Sequence, residues 1–544
     1  MNRIRRHRNM ISTAVLIVVG GLMLRCVFLD QRSVWFDEAS SWLTATLSFS
    51  ELIASLKQST HVPLYYPLLR GWMWCFGESP VAMRSFSVLA GMLTVAGCWP
   101  LGTVVLRQER ALELQSETVR SPGQTSHEVD AVWFGLFCSA ICATSAFMVH
   151  ASVEARMYSL GTFLFVVSNY VVLRIAQSPD SIRLWGLLVS VTIAELYTHH
   201  FLAMTVGVQA IWLFIQLRRT DSVVHPPGGG LTTNSRAGEK IRTPSSPRRY
   251  WLASFVVVAV AWIPGLILWW SQFRGIRQGF WIPPVGMWTI PRTVFEFLIG
   301  SIPGLRGELD WPSAFVAVVC MLLVLRAAIA CRAAVGFMLL QGTVPMIVIW
   351  FVSVFTPIWQ ARYFRFAFIG LMISMAWVVW KLTGSGRKRQ CVCAVTLLVC
   401  LAGTIVFWAR RDIPHRQAMR GAFAFIAERE DSPESARLII TRPMEFVIAK
   451  YYAPHFGFPR KHVALWTGRD RHLGLAPHLI RAEDWWKPDE TTGDASSFSV
   501  WTVFPADQPP RFGLQRPVSP VFRSDLHLVH WRVQAARFDG VFAR

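Results

Sequence analysis

Long apolar blocks are the feature that most constrains this chain. They are about 17 to 25 residues long and recur up to about residue 409, and a block of that length crosses a hydrocarbon core of roughly 30 Å as one helix. The composition agrees, with 53% hydrophobic residues, 16% charged residues and a mean hydropathy of +0.37, whereas soluble domains have roughly a quarter charged residues. The sequence therefore predicts an α-helical polytopic membrane protein.

About eleven spans are predicted. The first, 11–29, follows several arginines and lacks a small-residue cleavage site, so we interpret it as a retained anchor with a cytoplasmic N-terminus. Tyr197-Thr-His-His200 separates two marginal spans, and a re-entrant hairpin is the alternative there. The spans after the first are predicted at 81–106, 131–149, 158–176, 184–198, 201–217, 251–270, 313–331, 335–355, 366–381 and 391–409.

The basic residues indicate orientation rather than nucleic-acid binding. The formal net charge is +21, but Lys and Arg lie mostly in short connections between apolar blocks, as the positive-inside pattern requires. We therefore expect the lipid bilayer as a partner and no nucleic acid. The residues that this places on the inner side are Arg107, Arg110, Arg218, Arg219 and the stretches 240–249 and 381–389.

The cysteines predict neither a disulfide framework nor a metal site. None of the ten lies beyond Cys400, and most sit inside apolar blocks, where Cys behaves as a small hydrophobe. Cys391-Val-Cys393 is too short and too isolated for a metal motif. No metal ligand is assigned.

Two connecting segments have compositions of their own. The segment 30–80 is predicted to be the first extracytoplasmic loop; in it Ser48-Phe-Ser-Glu51 is a capping-box pattern that predicts a helix through Lys57. The Tyr and Trp of 64–76 favour a segment along the interface. The segment 218–250 is rich in Pro, Gly, Ser and Arg, which predicts a disordered cytoplasmic loop.

The composition changes after residue 409. A helix at 416–429 and β-rich runs at 437–441, 498–504 and 526–533 predict a small C-terminal α/β domain over 410–544. An odd number of spans leaves this domain extracytoplasmic, opposite the N-terminus. We expect a transmembrane domain at 1–409, in the cytoplasmic (inner) membrane, followed by this outer domain.

Four polar clusters fall on the predicted outer face, where a hydrophobic span needs no charge. Carboxylates for proton transfer, with Arg and His for an anionic group, indicate an enzyme site when they share one wet surface. Each cluster alone also has a plain interpretation, such as a loop histidine or a snorkelling arginine. The clusters are Asp37-Glu38, His61-Val-Pro-Leu-Tyr-Tyr66, His150-Ala-Ser-Val-Glu-Ala-Arg-Met-Tyr158, and Gln360-Ala-Arg-Tyr363 followed by Arg365.

These motifs, in this order and together with Tyr-Thr-His-His200 and Phe280-Trp-Ile-Pro-Pro284, resemble polytopic glycosyltransferases of the GT-C superfamily. The likeness is to the bacterial branch related to protein O-mannosyltransferases and to aminoarabinose transferases, and it covers roughly residues 30–365. Two places depart from the family pattern. Val62 stands where a second Pro is common, and Ser152-Val153 stands where Ser-Gln is common.

The resemblance implies an inverting glycosyltransferase. It implies transfer of a sugar from a polyprenyl-phosphate donor to a glycan, lipid or protein acceptor at the outer face, with Asp37 as general base and Glu38 orienting the acceptor or a cation. Arg362, then Arg156 and His61, are expected at the departing lipid phosphate. No cofactor is required, although two carboxylates leave a divalent cation open. The other residues expected to bind substrate are Tyr65, Tyr66, Glu154, Tyr158, His199 and Tyr363.

Two other classes of function remain open. A transporter or flippase of a lipid-linked precursor would also have many spans and outward charges, but such proteins carry polar residues or broken helices near mid-span and paired repeats, and no internal repeat is seen. A structural or sensory membrane protein gives no reason for Asp37-Glu38 and Arg362 to share a face.

Overall fold

The computed structural model describes most of the chain up to residue 465 and parts of the remainder. The described residues are 2–27, 29–116, 124–224, 247–276, 282–299, 311–409, 414–434, 436–440, 442–465, 479–485, 499–505, 522–523 and 533–539.

The described part of the chain is mainly helical, and each predicted span is helical, with 131–149 divided between two helices. Its helices are α1 Asn2–Cys26, α2 Phe36–Thr46, α3 Phe49–Lys57, α4 Tyr65–Phe76, α5 Pro80–Ser116, α6 Gln124–Thr144, α7 Ala146–Ser152, α8 Tyr158–Gln177, α9 Ile182–Leu196, α10 Leu202–Val224, α11 Pro247–Ile276, α12 Thr289–Ile299, α13 Trp311–Ala330, α14 Ala333–Phe355, α15 Arg365–Leu382, α16 Arg387–Ala409, α17 Pro414–Ala427 and α18 Pro443–Tyr452.

Seven of these helices are long and apolar enough to cross a membrane, within the described residues. An eighth span results if α6 and α7, which meet at a 64° bend, are taken as one. The predicted count of about eleven also includes α9, which has only 15 residues, and α10 and α13. The chain is thus a multi-pass membrane protein, as its apolar blocks predict.

The chain divides into two compact units. The first, here called the helical unit, comprises Met1–Cys26, Ser87–Val153 and Met157–Phe407. The second, called the mixed unit, comprises Val27–Phe86, Glu154–Arg156 and Trp408–Arg544. The mixed unit therefore joins the predicted first loop, three residues of the third polar cluster and the tail.

Two glycines allow α14 and α15 of the helical unit to approach closely. A Cβ on Gly370 would lie 2.5 Å from the Met338 carbonyl oxygen, and one on Gly342 would lie 2.9 Å from the Leu371 backbone nitrogen. Small residues at a helix interface permit this contact inside a membrane.

Because the atoms that a Gly370 side chain would meet belong to the backbone, Gly370→Ala should force α14 and α15 apart. We expect a loss of about 1–3 kcal/mol in the free energy of unfolding, measured as a lower unfolding midpoint of the purified protein. Gly186→Ala is the matched control, since nothing lies within 4 Å of that position, and its midpoint should not fall. Equal midpoints for the two variants would contradict close packing at Gly370.

Arg25 is fully buried, and it forms hydrogen bonds to residues on both sides of the bend between α6 and α7. Its guanidinium donates to the carbonyl oxygens of Ala143 at 2.9 Å and Cys142 at 3.2 Å, and to Ser152 Oγ at 3.0 Å. The last carbonyls of a helix lack intrahelical donors and attract positive charge. Arg25 therefore supplies both the hydrogen bonds and the charge that the end of α6 needs.

Basic residues predicted on the inner side come together in the helical unit. Arg110 and Arg389 both pair with Asp130, and Lys381 pairs with Glu113. Residues from two predicted inner connections, 107–130 and 381–389, therefore lie at one end of the bundle, as the predicted orientation requires. The two ends of the predicted inner loop 218–250 lie in α10 and α11. Residues 225–246 of this loop lie outside the described residues.

The mixed unit contains α2, α3, α4, α17, α18 and a sheet of order β2-β1-β3-β5-β4. Strand β1 pairs in parallel with β2 and β3, and β5 runs antiparallel to β3 and β4. The predicted runs at 437–441 and 498–504 coincide with β1 and β3 within a residue, whereas 526–532 lie outside the described residues. The strands are β1 Arg437–Ile440, β2 Val463–Leu465, β3 Ser499–Pro505, β4 Phe522–Arg523 and β5 Val533–Asp539.

The predicted capping box is present at the start of α3. Glu51 N donates to Ser48 Oγ, and the Ser48 backbone N–H donates to the Glu51 carboxylate at 2.9 Å. The Ser48 hydroxyl, which donates to the Glu51 carboxylate at 2.8 Å, and the Ser48 backbone N–H together lower the pKa of Glu51. The local pattern alone is sufficient here, because both partners lie within one turn.

Candidate active site

The first polar cluster forms the first turn of α2, in the mixed unit. Asp37 and Glu38 follow Phe36, where α2 begins. Carboxylates are favoured at this position because the first turn has backbone N–H groups without helical partners. Asp37 is half-buried, whereas Glu38 is only 1% exposed, so the two neighbours have different surroundings.

Glu38 forms a buried ion pair with Arg84, a residue at the start of α5. Arg84 Nε lies 2.8 Å from Glu38 Oε1 and Arg84 Nη2 lies 2.7 Å from Glu38 Oε2, a bidentate arrangement with both side chains at most 2% exposed. The remaining donors of Arg84 go to the carbonyl oxygens of Leu29, Arg32 and Ser33. Glu38 and Arg84 thereby fix the turn that leads into α2.

Two residues of the third polar cluster, Ala155 and Arg156, contact the first turn of α2. The Ala155 backbone N–H donates to Glu38 Oε1 at 3.1 Å. Arg156 donates to the Asp37 carbonyl oxygen at 3.1 Å and to Ser41 Oγ at 3.2 Å. The backbone of Asp37 is therefore held by Arg156, while its neighbour is held by Arg84.

Arg156 also joins His61 to this site. Arg156 Nη2 lies 3.0 Å from His61 Nε2. Arginine is only a donor, so this contact requires His61 Nε2 to accept and places the imidazole proton on Nδ1. His61, half-buried, thus lies two contacts away from the Asp37 backbone.

The tyrosines of the second cluster and Glu154 are buried in the same unit. Tyr65 is 0% exposed, Tyr66 2% and Glu154 2%. The two tyrosine rings meet edge to face, with centroids 5.8 Å apart. This buried pair supports the start of α4, which packs against α2.

Helix α18 of the tail also packs against α2. The Val34 backbone N–H donates to Tyr452 Oη at 2.7 Å, and Tyr451 Oη donates to the Glu78 carbonyl oxygen at 3.0 Å. Burial raises the pKa of both tyrosines, so both phenols stay neutral. Trp42 packs edge to face on Tyr451, with ring centroids 5.4 Å apart.

A cavity of about 190 Å³ lies beside Trp42 in the mixed unit. Charged side chains around it form ion pairs, including Lys450 with Asp484 and Arg481 with Glu51. Three basic and two acidic side chains line it, and each of the three basic ones forms an ion pair. The residues that line it are Trp42, Leu43, Thr46, Leu47, Lys450, Arg460, Leu479, Arg481, Glu483 and Asp484.

The fourth polar cluster lies in the helical unit, where it forms an aromatic cluster with two other predicted residues. The ring centroids of Tyr158, His199 and Tyr363 lie 5.8–6.0 Å apart. The Arg362 guanidinium lies 5.6 Å from the Tyr363 centroid, and that of Arg365 lies 5.2 Å from the Tyr158 centroid. Aromatic faces and guanidinium groups are therefore adjacent, as in sites that hold anionic groups.

Each unit thus contains some of the predicted site residues. The mixed unit holds Asp37, Glu38, His61, Tyr65, Tyr66, Glu154 and Arg156, and the helical unit holds Tyr158, His199, Arg362 and Tyr363. Within the described residues, no group of three or more His, Cys, Asp or Glu side chains is arranged to hold a metal ion. Both oxygens of Glu38 bind Arg84 instead.

Sequence reasoning missed Arg84. It stands within the predicted span 81–106, where an arginine looks like a topological charge. A signal was nevertheless present, because a charge inside a span requires a partner, and Glu38 is an acidic residue on the same predicted face. Nothing in the sequence indicated the contact between Tyr452 and Val34.

Comparison with solved structures identifies the fold. The chain is similar to ArnT from Cupriavidus metallidurans in its apo state, with a TM-score of 0.59 and 13% sequence identity over 96% of this chain and 97% of that one. It is also similar to ArnT bound to undecaprenyl phosphate, with a TM-score of 0.60 and 12% identity over 97% and 98% of the two chains. The chain has the fold of ArnT. No protein-family model matches it, and no curated protein matches it significantly in sequence.

The GT-C resemblance predicted from the motifs is thereby confirmed at the level of fold. At 12–13% identity, the likeness shows the fold alone, so the chemistry of the site residues is argued from their contacts. Residues 280–281 of the Phe280-Trp-Ile-Pro-Pro284 motif lie outside the described residues.

Proposed function

We propose that this protein is an inverting membrane glycosyltransferase that moves a sugar from a polyprenyl-phosphate donor to an acceptor at the outer face of the cytoplasmic membrane. The observation that carries the proposal is the turn at Asp37, which Arg84 and Arg156 hold from two sides. The fold supports it, because ArnT, which shares this fold, has been solved with undecaprenyl phosphate bound.

Asp37 is the proposed general base. Its carboxylate accepts the proton of the acceptor hydroxyl as the hydroxyl oxygen attacks the anomeric carbon, while the bond from that carbon to the phosphate oxygen breaks. A single displacement of this kind inverts the configuration. Glu38 is proposed as a positioning residue, since its bidentate pairing with Arg84 leaves Asp37 as the carboxylate of this turn that serves proton transfer.

Arg362 is the first candidate for the departing lipid phosphate. It is a half-buried guanidinium beside Tyr363, and a cationic donor stabilises the negative charge that develops on the leaving group. Tyr158, His199 and Tyr363 are proposed to pack against the sugar or the lipid head. Arg156 and His61, whose mutual contact also holds the Asp37 backbone, are proposed to support the base.

The sidedness of the site is part of the proposal. The predicted inner-side residues Arg110, Lys381 and Arg389 form ion pairs at one end of the helical unit, which favours a single cytoplasmic end under the positive-inside rule. The four polar clusters and the tail then belong to the opposite, outer side. Accessibility labelling of single cysteines introduced on each side in intact cells would test this assignment.

The proposed reaction is tested by incubating the purified protein with a panel of radiolabelled polyprenyl phosphate sugars and an envelope extract. Mass spectrometry of the labelled product would then identify the sugar and the acceptor. We expect one donor to transfer its label, with inversion at the anomeric carbon. Retention of configuration would contradict the single displacement.

Replacing Arg362 with Ala should weaken use of the lipid-phosphate donor more than use of the acceptor. The expected result is a donor KM raised by about tenfold or more, since a charge-assisted hydrogen bond contributes roughly 1.5–3 kcal/mol. Arg362→Lys should raise the donor KM less than Arg362→Ala does, because lysine keeps the positive charge but lacks the bidentate geometry of arginine. An unchanged donor KM in Arg362→Ala would exclude the phosphate role.

A further inference from the structure

A buried polar cluster of the helical unit lies apart from the proposed reaction. It consists of Ser168 and Asn169 on α8, Glu195 on α9, Gln209 on α10 and Gln341 on α14, and we call it the Glu195 cluster. All five side chains are fully buried. Ionisable and amide side chains at such positions in a membrane protein are expensive and usually functional.

The amide nitrogens of the Glu195 cluster already have hydrogen-bond acceptors. Gln209 Nε2 donates to Ser168 Oγ at 2.8 Å, Asn169 Nδ2 donates to the Phe165 carbonyl at 2.7 Å, and Gln341 Nε2 donates to the Thr205 carbonyl at 3.2 Å. Thr205 stands one helical turn before Gln209, so α14 joins the same face of α10. The nitrogen ends of the three amides are therefore used by the protein.

The oxygen ends are not used. Among the residues that the structure describes, no donor reaches Glu195 Oε2, Gln209 Oε1, Asn169 Oδ1 or Gln341 Oε1. Glu195 Oε1 lies 2.7 Å from Ser168 Oγ, and within the described residues Glu195 forms no ion pair with Lys or Arg. The cluster thus contains one carboxyl group and three amide oxygens to which no described donor is bound, and buried acceptors require a partner.

A proton on Glu195 would not satisfy all of these oxygens. It would satisfy one contact, by donating to Ser168 Oγ, and would leave the three amide oxygens without a donor. A cation contacts several oxygens at once and also neutralises the carboxylate. Because the cluster contains one carboxylate and otherwise neutral ligands, a single positive charge balances it.

We propose that the Glu195 cluster binds a monovalent cation of the sodium class. Its ligands would be drawn from Glu195 Oε2 and the oxygens of Gln209, Asn169 and Gln341. Sodium in membrane transporters is coordinated by oxygen atoms, there backbone carbonyls at broken helices, and the amide oxygens of Asn and Gln are ligands of the same carbonyl type. The proposed ion site does not depend on the proposed sugar transfer. The Glu195 carbonyl oxygen accepts from the His199 backbone N–H at 3.1 Å. A bound ion would therefore stabilise the end of α9, which lies just before His199.

The test is equilibrium binding of ²²Na⁺ to the purified full-length protein in lipid nanodiscs. We expect saturable binding of about one ion per chain in the wild type. Glu195→Gln keeps the shape and the hydrogen bond to Ser168 but removes the charge, so affinity should fall at least about tenfold. Ser190→Ala is the control, because the exposed Ser190 lies on the same helix outside the cluster and should bind as the wild type does.

Thermal unfolding of the wild type gives a second readout that needs no variant. The unfolding midpoint should be higher by about 3 °C or more in sodium chloride than in N-methyl-D-glucamine chloride of equal ionic strength. Equal midpoints together with absent saturable ²²Na⁺ binding would overturn the proposal and leave the cluster to buried water or a proton. Unchanged binding in a folded Glu195→Gln variant would also overturn it.

Discussion

Asp37→Asn is expected to abolish sugar transfer while the protein inserts and folds normally. The amide has the shape of the carboxylate but cannot accept the proton of the acceptor hydroxyl. General base catalysis contributes about 10²- to 10⁴-fold to a rate, so kcat should fall by that factor. Donor KM should change little, because the hydrogen bond from Arg156 to the Asp37 backbone carbonyl does not depend on the charge of the Asp37 side chain.

Asp30→Asn is the matched control for this experiment. It makes the same change at an exposed position of the same unit, where Arg420 donates to the Asp30 backbone carbonyl oxygen. The control should retain wild-type kcat. Full activity of Asp37→Asn in the same membranes would remove Asp37 from the role of base.

Arg84→Met is expected to produce the largest loss of stability among the substitutions considered. It leaves the Glu38 carboxylate, only 1% exposed, without its ion-pair partner. Breaking a buried pair on one side costs about 3–5 kcal/mol in the free energy of unfolding. The loss would be measured as a lower unfolding midpoint of the purified protein.

The double variant Glu38→Leu/Arg84→Met separates the ion pair from other effects. Replacing both partners removes the unpaired charge, so stability should recover in part. Recovery should be incomplete, because the carbonyl oxygens of Leu29, Arg32 and Ser33 lose their donor. Arg70→Met, at an exposed arginine of the same unit, should change the free energy of unfolding by less than about 0.5 kcal/mol. An Arg84→Met variant as stable as Arg70→Met would contradict the account.

Hydropathy predicted the helices well because the signal for a span is local. A block of apolar residues must form its own backbone hydrogen bonds in a bilayer, and each predicted span is helical. The capping box at Ser48 was predictable for the same reason. Hydropathy could not show the bend after Thr144, because the guanidinium that donates to the carbonyl oxygens there belongs to Arg25, which is distant in sequence.

The site was predictable in its residue types but not in its pairings. Arg and carboxylate residues at the predicted outer ends of the spans indicated where chemistry could occur. The partner of Glu38 lies 46 residues away on α5, and the contact between Val34 and Tyr452 spans 418 residues. Such pairings depend on tertiary packing, so the sequence alone could not separate Glu38, which is fixed by Arg84, from the adjacent Asp37.

The central claim is that a sugar leaves its lipid phosphate on this protein. It is tested most directly in proteoliposomes with a polyprenyl phosphate sugar labelled separately in lipid and sugar, by quantifying free polyprenyl phosphate and labelled acceptor. The account predicts equal amounts of both products with the wild type and neither with Asp37→Asn. Donor that reaches the opposite leaflet intact, with no free polyprenyl phosphate formed, would contradict the account and would favour a flippase.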